Sequence, residues 1–265
     1  MLGIKDRSDR RFGELLGGRT VEGEAGPGVE AGDFLQDQMK REVGEASEEK
    51  VPAFFEKKFE QVGRELRKLH EAGIIHLRFH AGNYSSESGG VVIHDLDSSK
   101  RSDQFGETQR FLYRLVDLGE AAKGVHEMLY HNSTGIVLQQ QGVNPYAHLF
   151  IGYFGREEFD RDAGLKRTAD ELFKLTAVEK IRERTVGRPG PHWAHQRFAA
   201  SMMAMAGAHS ALEAQWKQAG SAPPVTTDEM LRKLDKYAKK VYEFQSRQTP
   251  EGSSRWRKLL SIFRR

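Results

Sequence analysis

The stretch "LHEAGIIHLRFHAGN", residues 69–83, contains the change of rhythm on which the fold depends. Its first residues close a helical pattern. In "VPAFFEKKFEQVGRELRKLHEAG" (51–73), Phe55, Phe59, Val62, Leu66 and Leu69 recur at spacings of three and four, and charged side chains fill the opposite face. Pro52 suits the first turn, where its missing N–H costs no hydrogen bond, and Gly73 suits the stop. The pattern then changes. "GIIHLRF" (73–79) is short and partly β-branched, "NYSSESGG" (83–90) is turn-rich, and "VVIHDLD" (91–97) sets three β-branched residues in succession. Two short strands around a polar turn are predicted, as a small β-hairpin at about residues 75–95.

Outward from this island the signals are helical. Helices are predicted over 107–131, 144–154, 157–186, 192–219 and 227–247, with "GSAPP" (220–224) and "TPEGSS" (249–254) separating the last pieces. Residues 17–33, "GGRTVEGEAGPGVEAGD", are rich in Gly and Glu and read as loop. The predicted class is mainly α with one small β-hairpin. The predicted organisation is a flexible, hinge-like segment (1–33), a core (34–155), a helical extension (156–248) and a basic tail (249–265).

Composition narrows the function classes. The chain has 265 residues, 38% hydrophobic and 30% charged, which is enough for one substantial core. Forty-one basic against 38 acidic side chains leave a net charge of +3. This is mild basicity rather than a nucleic-acid footprint, so nucleic acid is not expected as a partner. Cysteine is absent, which excludes disulfides, thiolate nucleophiles and Cys-based zinc sites. The start "MLGIKDRSDRRFGELL" mixes acids and bases and has no apolar secretory region, so a cytoplasmic location is expected. The tail "SSRWRKLLSIFRR" (253–265) carries Arg255, Arg257, Lys258, Arg264 and Arg265 without an acid, and Trp256, Leu259, Leu260 and Phe263 fall on one helical face. It is expected to form a basic amphipathic helix, either lying on an anionic membrane surface or docked on the protein's own helices.

Phosphoryl transfer needs few groups. One Asp orients or accepts the proton of the attacking hydroxyl, and an Asn and a second Asp hold magnesium against the phosphates. The loop "HLRFHAGN" (76–83) and the segment "VVIHDLDSS" (91–99) resemble those of the kinase-like phosphotransferase superfamily, in the aminoglycoside- and lipopolysaccharide-kinase branch. The resemblance covers residues 50–120, and more loosely 20–155. His76 matches the loop histidine, Asn83 the magnesium-binding asparagine and Asp95 the metal aspartate. "FLYRLVDLGEAA" (111–122) and "YAHLFIGYFG" (146–155) look like helices of the C-terminal lobe. The implied fold is a protein-kinase-like C-lobe extended by C-terminal helices. The implied cofactors are Mg2+ and ATP, with Asn83 and Asp95 as metal and cofactor ligands.

Two departures bear on activity. Arg78 stands where the catalytic Asp belongs, and a guanidinium stays protonated and accepts no proton. It is expected to pair with Asp95 or Asp97. The second departure lies before the first helix. "GELLGG" (13–18) lacks G-x-G-x-x-G spacing, and "TVEGEAGPGVEAGDFL" (20–35) resembles a hinge, so the N-terminal lobe is expected to be incomplete. The resemblance therefore implies a degenerate loop of His76, Arg78, His80 and Asp97, and weak or absent Mg2+–ATP binding by the isolated chain. Three functions stay open: a pseudokinase acting through a protein partner that completes the nucleotide site; an active atypical phosphotransferase with His80 or Asp97 as base; and a peripheral membrane or polyanion binder. His192 and His195 in "HWAH" lie three apart but have no evident third metal ligand, and Met202, Met203 and Met205 are expected to pack a helix face.

Overall fold

The structure is a computed structural model that describes residues 50–77, 79, 83–87, 90–131, 138, 140–186, 193–226, 228–230 and 232. These residues are mainly helical. Helix α1 (Lys50–Glu71) leads into strands β1 (Ile74–Ile75), β2 (Tyr84–Glu87), β3 (Gly90–Ile93) and β4 (Lys100–Arg101). Helices α2 (Glu107–His131), α3 (Pro145–Phe154), α4 (Arg156–Arg161), α5 (Ala163–Val186) and α6 (Trp193–Gln218) follow. Among the described residues no helix is long and apolar enough to cross a membrane.

The periodicity of α1 becomes burial. Phe55, Phe59, Val62, Leu66 and Leu69 are all buried in the core. The helix ends at Gly73, whose φ of +76° is the left-handed conformation that glycine adopts without a Cβ penalty. α1 packs closely on α3 because two glycines face each other's backbone. A Cβ on Gly63 would lie 2.1 Å from the Leu149 carbonyl oxygen, and one on Gly152 would lie 2.0 Å from that of Glu60.

The helix predicted over 157–186 is two helices. Asp162 breaks it, with φ −90° and ψ 103°, and its Oδ1 accepts from the N–H groups of Gly164 (2.7 Å) and Leu165 (2.9 Å). The side chain thus caps α5 and satisfies donors that an unbroken helix would have spent on carbonyls. Asn144 caps α3 in the same way, accepting from Tyr146 and Ala147, with Pro145 at the first helical position. Helix α2 matches its predicted span, and Met202, Met203 and Met205 of α6 are buried among alanines.

The strand pairing differs from expectation. "GII" and "VVI" do not pair with each other. β1 pairs antiparallel with β4, Ile74 opposite Arg101. β3 pairs with β2, drawn from the turn-rich "YSSE", with Tyr84 opposite Ile93 and Glu87 opposite Gly90.

One apolar core joins these pieces, running from Phe54 of α1 to Met230. α2 packs on α6, α6 on α5, and α5 on α3. The hinge-like segment 1–33, Arg78, His80, His192 and the tail 249–265 lie outside the described residues, as does most of the helix predicted over 227–247. The expected pairing of Arg78 with Asp95 or Asp97 and the expected tail helix lie there too.

Candidate functional site

The site sits where the chain leaves β1 and where it leaves β3. Among the described residues two non-glycine residues have positive φ, and each lies in one of these segments: Leu77 (67°) and Asp95 (52°). Left-handed backbone is costly for a branched aliphatic residue and persists only where neighbouring contacts impose it.

For Leu77 those contacts come from a buried carboxylate on α2. Asp117 is fully buried. Its Oδ2 accepts from the His76 backbone N–H at 2.8 Å, and its Oδ1 from that of Leu77 at 2.7 Å. The same Oδ2 accepts from His70 Nε2–H at 3.1 Å, and His70 Nδ1 accepts the Tyr153 hydroxyl at 2.7 Å. A chain of hydrogen bonds therefore runs from α3 through the end of α1 to α2 and into the segment at 76–77. Burial pushes the His70 imidazole below its ordinary pKa, against the pull of Asp117, and pushes the Tyr153 phenol up. Both stay neutral, as this order of donors and acceptors requires. Arg114, one turn before Asp117, donates to the His70 carbonyl at 3.0 Å and so closes the end of α1.

His76 is buried, and its Nε2–H donates to the His94 carbonyl at 2.9 Å. Asn83 is also buried. Its carbonyl accepts from the His94 N–H at 2.7 Å, and its side-chain Nδ2 reaches Asp95 Oδ2 at 3.4 Å. Thus His76 and Asn83 both grip the segment that carries Asp95. Three of the residues selected from the sequence, His76, Asn83 and Asp95, are brought together here. Asp97 lies on the 3-10 turn Leu96–Ser98 that follows, and is exposed, as is Asp95.

The pair Asn83 and Asp95 is the part of this arrangement that fits a divalent cation. Magnesium takes few protein ligands and completes its octahedron with water and phosphate oxygens. An exposed carboxylate beside an amide suits that mode. The amide presents its nitrogen to Asp95, and turning it over would present Oδ1 instead. Among the described residues no group of three or more His, Cys, Asp or Glu side chains could hold a metal by itself. Asn83 and Asp95 are thus the two side chains here that could help hold a cation, together with oxygens the chain does not itself supply.

Sequence reasoning missed Asp117, His70 and Tyr153. On α2 the residues three positions either side of Asp117 are Arg114 and Glu120, so the pattern reads as a polar face and a buried carboxylate leaves no mark on it. No protein-family model matches the chain, and no curated protein or solved structure matches it.

Proposed function

We propose that this chain is a degenerate kinase-like protein, a pseudokinase, that acts by binding a partner protein. The observation that carries the reading is the meeting of Asn83 with Asp95, on a segment that His76 also grips from backbone anchored by Asp117. In a phosphotransferase the loop would present a proton acceptor two residues after His76, and this chain has Arg78 there. Its permanent positive charge disfavours both proton abstraction and a magnesium ion nearby. What remains useful is the framework: a helical unit bearing Asn83 and Asp95, which a partner chain supplying nucleotide contacts would complete. Mg2+ and ATP then bind this chain alone weakly or not at all.

The retained Asn83–Asp95 pair favours a second reading, an active atypical phosphotransferase. Positioning and charge neutralisation dominate phosphoryl transfer, so loss of a base lowers the rate without abolishing it. Asp97, exposed beside Asp95, or His80 would then take the proton. Melting the full chain with and without magnesium and ATP, together with an assay for phosphate transfer or release, separates the two. The pseudokinase reading expects no turnover and no nucleotide-dependent gain in melting temperature. Micromolar magnesium-dependent binding with turnover, both removed by Asn83→Ala and Asp95→Ala, would replace it with the active reading.

A further inference from the structure

We draw no further inference here: the strongest candidate, the buried chain of hydrogen bonds from Tyr153 through His70 to Asp117 beneath the backbone of His76 and Leu77, belongs to the site already described.

Discussion

Asp117 is the residue on which the local geometry rests. It makes three hydrogen bonds, two to backbone N–H groups and one to an imidazole, with no exposure to water. An amide in its place offers one accepting oxygen and turns an N–H₂ group toward donors. Asp117→Asn is therefore expected to cost about 2–4 kcal/mol in urea denaturation, because buried donors lose their partner. A loss below about 0.5 kcal/mol, the size of an ordinary surface change, would show that the carboxylate does not hold the loop. The histidines add a pH dependence. Burial lowers the pKa of His70, and also of His148 and His209, below the ordinary 6.5. The unfolded chain then binds more protons than the folded one just below pH 6.5. Stability is complete above that value and falls as pH drops through it, by at most about 1.4 kcal/mol per pH unit for each histidine. Denaturation between about pH 7.5 and 5.5 is expected to show this slope, and His209→Gln, which keeps a donor for the Val225 carbonyl, is expected to reduce it. A flat profile would contradict the buried neutral imidazoles. His76, Asn83 and Asp95 were legible because their spacing lies along one loop and one strand end. Asp117 and His70 were not, because their roles arise from contacts between helices far apart in sequence.

At the scale of elements, helices were legible wherever apolar residues repeat at three and four, as in α1. Their ends were less so. The break at Asp162 turns on one side chain choosing to cap rather than to face solvent, and the surrounding periodicity does not register it. The strands were least legible. Two-residue segments such as Ile74–Ile75 carry no alternation from which a partner could be inferred. Tyr84 makes "YSSE" a strand because its ring stacks on Phe79, with centroids 5.5 Å apart, in the buried core. The contact between α1 and α3 gives the sharpest test at this scale. Neither helix can carry a Cβ at the crossing without moving its neighbour's backbone. Gly63→Ala and Gly152→Ala are each expected to lower stability by about 3 kcal/mol. Gly90→Ala, where a Cβ would meet nothing within 4 Å, serves as the control and is expected to change it by less than about 0.5 kcal/mol. Equal effects at all three positions would show that α1 and α3 do not approach as described.

For the molecule as a whole, one core ties the loop-bearing half, α1 to α3, to the helices that follow it. The site framework is thus supported from both sides: α2 presents Asp117 to the loop while it packs most extensively on α6. A framework that brings Asn83 and Asp95 together as cation ligands, with a guanidinium at the position where the resemblance implies a carboxylate, is the central proposal. Manganese, a paramagnetic stand-in for magnesium at oxygen sites, tests it most directly when titrated into the full chain and followed by electron paramagnetic resonance. The intact chain is expected to bind it no tighter than about 1 mM. Arg78→Asp replaces a positive with a negative charge on the loop, and is expected to tighten binding about tenfold or more. Asp95→Ala in that background is expected to abolish the gain. Equal affinity in the intact chain and Arg78→Asp, or a gain that survives Asp95→Ala, would contradict the account.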